Sequence, residues 1–158
     1  MSEFINYIKK HYSQDDVLLE IGAGYNSTKE FSSFFKKMYS IENNLKFCNL
    51  YDSNYIHVDL DQDGWYKKDI FEQKLPGDYN LILLDGPLGG FDPPFIKNES
   101  RIFRLGFALH NWDCIKKDVD IVIDDTDRNW LEKDVVKFLK DKGYKCQDMG
   151  SFHVCFPQ

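Results

Sequence analysis

A short apolar run that closes on two glycines constrains this chain more than any other feature. Residues 17–28 read Val-Leu-Leu-Glu-Ile-Gly-Ala-Gly-Tyr-Asn-Ser-Thr. The apolar run has strand character with one carboxylate, Glu20, and Gly22 and Gly24 then mark a sharp backbone turn. Asn26, Ser27 and Thr28 offer helix caps, and Ser27 with Glu30 has the spacing of a capping box. Strand, glycine turn and helix in this order bring bare backbone N–H groups and a positive helix end up to a ligand, because glycine has no Cβ to hold it away.

The flanking residues bear on which ligand. A dinucleotide fingerprint places a third glycine where this chain has Ser27. Glu42 ends a second apolar stretch, and a carboxylate there can accept hydrogen bonds from both hydroxyls of a ribose, whichever nucleotide cofactor carries it. Glu20, two residues before the first glycine, suits a ligand with an ammonium group and would repel a pyrophosphate.

With 158 residues, 42% of them hydrophobic and 16% aromatic, the chain has the length and composition for one domain, residues 1–158, with its own core. A formal charge of −6 argues against a nucleic-acid backbone as the main partner. No stretch has the length of a membrane span or the build of a signal peptide, so a cytoplasmic location and no membrane partner are expected. Cys48, Cys114, Cys146 and Cys155 lack metal-ligand spacing and are expected as reduced, mostly buried thiols.

In chain order, residues 3–12 have helical spacing of Phe4, Ile5, Ile8 and Tyr12, so the N-terminal 1–14 segment is expected as an amphipathic helix. Phe31, Phe34, Phe35 and Met38 form a helix stripe, and a short helix is expected through Leu45, Phe47 and Leu50. A third strand, residues 55–59, runs into Asp59-Leu-Asp61-Gln-Asp63-Gly64, which resembles a calcium loop until Ile70 occupies the place of its closing glutamate. Residues 79–85 and 119–125 read as buried strands that end in acids. Between them, residues 86–98 form a loop rich in glycine and proline, expected at the active site, and a helix capped by Asn98 carries Ile102, Leu105, Leu109 and Trp112. A helix from Trp130 stops at Gly143, and residues 144–149 and 152–156 make a terminal hairpin. The expected fold is α/β: a Rossmann-like, doubly wound, mostly parallel seven-stranded sheet with a C-terminal antiparallel hairpin and helices on both faces.

Ligands of open α/β sheets bind beyond the carboxyl ends of the strands. Asp85, Asp124 and Asp125 fall at such ends, and their convergence would be costly without a cation. Oxygen ligands of this kind suit Mg²⁺ or another divalent cation.

The Glu-x-Gly-x-Gly pattern at Glu20, Gly22 and Gly24 resembles the first motif of class I S-adenosylmethionine-dependent methyltransferases. Asp85, with the Asp124-Asp125 pair, is similar in placement to the cation ligands of the metal-dependent O-methyltransferases that act on sugars and secondary metabolites. The resemblance implies S-adenosylmethionine held by Glu20, Gly22, Gly24, Glu42, Asp59 and Asp85, with Asp59 or Asp61 near the adenine. It also implies Mg²⁺ on Asp85, Asp124 and Asp125, and methyl transfer to a hydroxyl of a sugar, glycan or related small molecule. Leu88 stands where catechol-type relatives have a lysine, so the base is sought elsewhere, and His110 is the nearest candidate beside Asp85. Arg128 is placed to orient a ligand or neutralise charge, with a structural salt bridge as the equal alternative, and Trp65, Phe91, Phe95 and Trp130 to line the acceptor site, with core packing as the plainer role for the aromatics. Two further readings stay open: an NAD-dependent oxidoreductase or epimerase, which would lack a Tyr-x-x-x-Lys pair, and a non-catalytic binding domain of the same fold. The oligomeric state is open too, a homodimer included.

Overall fold

The structure, a computed structural model, describes residues 2–87, 102–127 and 130–158, with Trp130 and Leu131 described by backbone alone. The elements are α1 (Glu3–His11), β1 (Val17–Ile21), α2 (Ser27–Phe34), β2 (Lys37–Glu42), β3 (Asn54–His57), α3 (Lys68–Lys74), β4 (Leu81–Leu84), α4 (Gly106–Leu109), β5 (Asp120–Asp124), α5 (Trp130–Asp141), β6 (Lys145–Asp148) and β7 (Phe152–Phe156). Most of the expected site loop lies outside the described residues, as do Leu88, Phe91, Phe95, Asn98, Arg128 and the Trp130 and Leu131 side chains.

The seven strands form one sheet in the order β3-β2-β1-β4-β5-β7-β6. All pairings through β5 are parallel, and β7 pairs antiparallel with both β5 and β6, which is the expected mostly parallel sheet with a terminal hairpin. The chain winds outward from β1 to β3, then crosses back so that β4 pairs with the other side of β1. The switch point therefore lies between β1 and β4, where Ile21 is in register with Leu84.

Alternation along the strands builds a core on each face. Leu18, Leu81, Leu83 and Val122 pack with Phe4, Ile5, Ile8 and Phe31 of α1 and α2. Leu19, Ile21, Ile82, Leu84, Ile121 and Ile123 pack with Phe71, Phe107, Val135 and Leu139 of α3, α4 and α5. Each such side chain contributes about 1.5–3 kcal/mol by leaving water.

Several local expectations are corrected. The helix stripe after β1 stops early: Phe35 is the extended C-cap of α2, and Met38 already lies in β2. The 45–50 helix is a single 3₁₀ turn, residues 45–47, capped by Asn44 accepting from the Lys46 N–H. β3 ends at His57, so Asp59 lies past the strand. The helix expected over 102–112 is broken into a 3₁₀ turn at 103–105, α4 and a second 3₁₀ turn at 112–114, with Phe103 at φ 42°. Cys146 and Cys155, directly opposite in the β6–β7 ladder, form a disulfide with Cα atoms 4.1 Å apart, whereas Cys48 and Cys114 are free thiols. No helix among the described residues is long and apolar enough to cross a membrane.

Candidate functional site

The glycine turn is built by close backbone approach. Gly22 has φ +94°, and a Cβ there would lie 2.4 Å from the Cα of Gly86, so the ends of β1 and β4 meet main chain to main chain. A Cβ on Gly24 would meet nothing within 4 Å. The expectation of bare amides fails at three positions. Gly22 N–H donates to the Ile41 carbonyl (2.8 Å), Ala23 N–H to Glu42 Oε2 (2.8 Å) and Gly24 N–H to Thr28 Oγ1 (2.9 Å). Amides engaged inside the chain are poor anchors for a pyrophosphate, whereas the open space at Gly24 admits the body of a ligand.

Glu20 is fully buried, and its carboxylate accepts from Ser27 Oγ (2.9 Å), Thr28 Oγ1 (2.8 Å) and Ser40 Oγ (2.9 Å). Burial pushes its pKa up to about 7, against the pull of the three hydroxyls. Ser27 Oγ also reaches Asp85 Oδ2 at 3.3 Å, so one hydroxyl bridges the acids of β1 and β4. The capping box does not form. Ser27 faces inward, the N-cap Asn26 is itself helical in φ and ψ, and Glu30 pairs with Lys9 at 2.5 Å. Serine in place of the third glycine was the legible signal for this hydroxyl cage.

Glu42 joins the two strand ends beside the turn. Oε2 accepts from Ala23 and Oε1 from the Asn44 N–H at 2.7 Å, while burial raises the carboxyl's pKa against these bonds. Each oxygen keeps a second lone pair for a ligand hydroxyl. Asp59 is mostly exposed and pairs with His57 at 3.3 Å. The exposed Asp61 folds onto its own turn through Gln62 N–H, with Gly64 N–H on its carbonyl.

Asp85, Asp124 and Asp125 do converge: one carboxylate oxygen from each lies within 4.8 Å of the others. Asp125 holds φ 62°, a left-handed conformation that aspartate tolerates. Its neighbour Thr126 is fixed by its N–H to the Ser151 carbonyl (3.1 Å) and by a 2.8 Å bond between Oγ1 and His153 Nδ1. Burial, then the neighbouring carboxylates, push the pKa of Asp85 well up, opposed by Arg104. Asp124 is raised by burial and by Asp125.

Arg104 is the residue that sequence reading missed. Buried beneath the cluster, it donates from Nη2 to the Asp85 carbonyl (2.7 Å) and from Nη1 to the Asp124 carbonyl (3.0 Å). Nη2 lies 3.4 Å from Asp125 Oδ2 and 3.9 Å from Asp85 Oδ1, and Nε lies 3.6 Å from Glu132 Oε1. Nothing in an arginine between Phe103 and Leu105 announced this role. Among the described residues, Asp85, Asp124 and Asp125 bring hard oxygen donors together beside this guanidinium, a donor set of the kind that fits a divalent cation.

His110 ties two segments together, and Trp65 takes core packing, the plainer of its two expected roles. His110 Nε2 sits 2.7 Å from Asp63 Oδ2, and the Asp63 carbonyl accepts from Ile102 N–H (2.7 Å), so this pair ties the 61–65 turn to the 102–110 segment. Trp65 is fully buried against Gly106 with its indole N–H on Asn111 Oδ1 at 2.7 Å, a core position and not an acceptor wall.

No protein-family model and no curated protein matches the sequence. Solved structures do match the fold. A TehB-like SAM-dependent methyltransferase from Corynebacterium glutamicum aligns with TM-score 0.60 at 16% identity, covering 98% of this chain and 86% of that one. The magnesium protoporphyrin IX methyltransferase ChlM from Synechocystis, with bound SAM, aligns with TM-score 0.62 at 11% identity over 98% of this chain and 76% of its own. The MycE methyltransferase of the mycinamycin pathway, in complex with Mg and SAH, aligns with TM-score 0.57 at 12% identity over 98% of this chain and 44% of its own. The strand order, the reversed seventh strand and these alignments together give the chain the Rossmann-like fold of the S-adenosylmethionine-dependent methyltransferases.

Proposed function

We propose that this chain binds S-adenosylmethionine at the β1 turn and transfers its methyl group to a hydroxyl of a sugar, glycan or related small molecule, with a divalent cation on Asp85, Asp124 and Asp125. The observation that carries the reading is the convergence of these carboxylates at the switch point, linked to the turn by Ser27. An acid-lined site whose turn amides are already engaged favours a cationic sulfonium ligand over a dinucleotide. A nicotinamide dinucleotide is disfavoured there for the same reason.

The chain's own residues supply placement. Glu42 accepts from the ribose hydroxyls, and Gly24 leaves room for the adenosyl group. Glu20 acts at one remove, holding Ser27 and Thr28 so that the turn keeps its shape. Arg104 fixes the main chain of Asp85 and Asp124, so three like charges stay together instead of splaying. A bound cation would polarise an acceptor hydroxyl and lower its pKa, while the sulfonium supplies the methyl group. His110 is assigned to holding the 61–65 turn through Asp63.

The test is calorimetric binding of S-adenosylmethionine, followed by transfer of labelled methyl groups to a panel of sugars and glycans with and without a chelator. Micromolar binding, and turnover abolished by the chelator with cofactor binding intact, are expected. Absence of cofactor binding would end the reading, and full turnover in excess chelator would remove the cation from it.

A further inference from the structure

Tyr66 carries a polar atom that the chain itself does not use. Its side chain is 1% exposed, and among the described residues its hydroxyl has no hydrogen-bond partner. Such a group bears its desolvation penalty in full if it stays unpaired, so its retention needs a reason.

The phenol is fixed firmly in place. Tyr66 bridges Leu60 in antiparallel fashion, and the Lys67 N–H donates to the Asp59 carbonyl at 2.9 Å. Its ring meets Trp65 edge-on at 5.0 Å and Phe71 at 5.9 Å, and Trp65 is itself wedged against Gly106. The segment that Tyr66 pairs with also reaches the ribose acid, since Val58 N–H donates to the Glu42 carbonyl at 3.1 Å, and after burial the charges that bear most on the phenol are those of Glu42, Arg104, Glu20 and Asp85. Burial holds the phenol protonated, so among carboxylates it is a donor.

We propose that the Tyr66 hydroxyl is a ligand-binding donor, giving its hydrogen bond to a ribose oxygen of the adenosyl group while Glu42 accepts from the ribose hydroxyls. This rests on the S-adenosylmethionine reading above and adds a specificity residue to it. A vicinal diol is both donor and acceptor, and Glu42 alone meets only the first half of that chemistry. A donor buried this deeply is shielded from water that would otherwise compete for the bond.

The experiment is Tyr66→Phe, measured by the melting temperature of the ligand-free chain and by calorimetry with S-adenosylhomocysteine and its 2′-deoxy and 3′-deoxy ribose analogues. The variant is expected to melt no lower than the parent, because it loses only an unpaired group, and to bind S-adenosylhomocysteine about five- to tenfold more weakly. One deoxy analogue should bind parent and variant alike, since it lacks the oxygen that Tyr66 serves. Equal affinity of parent and variant for S-adenosylhomocysteine overturns the proposal while leaving the cofactor assignment standing. Failure of the parent to bind any of the three overturns the cofactor assignment itself.

Discussion

Arg104 donates from Nη2 to the carbonyl oxygen of Asp85 across 2.7 Å, so the strongest grip on that aspartate is on its backbone. The same nitrogen is 3.9 Å from the Asp85 carboxylate. The guanidinium thus sets where the carboxyl group stands chiefly through the main chain.

Arg104→Met should destabilise strongly, by about 3–5 kcal/mol, because it removes a buried cation that lies against Glu132 and Asp125 and the donor to the Asp85 and Asp124 carbonyls. Arg104→Lys should recover only part of this, since an ammonium cannot span two carbonyls as a planar fork does. Denaturant unfolding of the three proteins at neutral pH measures both effects.

The acids make stability fall as pH rises. The folded pKa of Glu20 is pushed up to about 7 from an ordinary 4.5, so its favourable contribution is complete below pH 4.5 and is lost as pH climbs through about 7. Asp85 and Asp124, also raised, act in the same direction. His153 acts oppositely below its ordinary 6.5, because burial lowers its pKa. Comparison with Glu20→Gln isolates the glutamate: the parent should lose on the order of 2–3 kcal/mol relative to the variant between pH 4.5 and 7.5. A constant difference across that range in pH-dependent unfolding would show that Glu20 ionises normally.

The two glycines of the turn should separate fold from binding. Gly22→Ala meets Gly86 backbone at 2.4 Å from a φ of +94° and should cost at least about 2 kcal/mol or fail to fold. Gly24→Ala places its methyl in open space, so melting should hardly change while S-adenosylhomocysteine binding weakens tenfold or more. Thermal melting and calorimetry on the pair decide it.

Removal of one clustered charge should raise the stability of the ion-free chain and lower that of the loaded one. Asp124→Asn relieves repulsion against Asp125 and removes the charge that raises the pKa of Asp85, for a gain of roughly 2–4 °C in melting temperature. The parent should gain stability on titration with Mg²⁺ or Mn²⁺ and the variant should gain little, as read by thermal shift in chelated and metal-supplemented buffer.

How much was legible follows from the range of each interaction. Alternating strands and helices, the glycine turn at Gly22 and the acids at strand ends are local patterns, and they place the sheet and the Asp85, Asp124 and Asp125 cluster correctly. Glu20 was legible as a special carboxylate, but Ser40, on the neighbouring strand, partners it through a parallel register that no local pattern encodes. Arg104 was invisible because its partners are carbonyls at the ends of strands about 20 residues away on either side. Met38 was misread because a run of apolar residues suits a helix stripe and a buried strand equally well, and the chain turns between Phe35 and Lys37. Cys146 and Cys155 read as separate thiols until the hairpin register set them face to face.

That cross-link joins residues nine apart, so its hold on the unfolded chain is that of a short loop, about 2–3 kcal/mol. It also acts mechanically. β6 is the outermost strand on its side of the sheet, and the bond clasps this free margin to β7, the strand that backs Asp124. Fraying that begins at the rim is thereby stopped one strand short of the carboxylates.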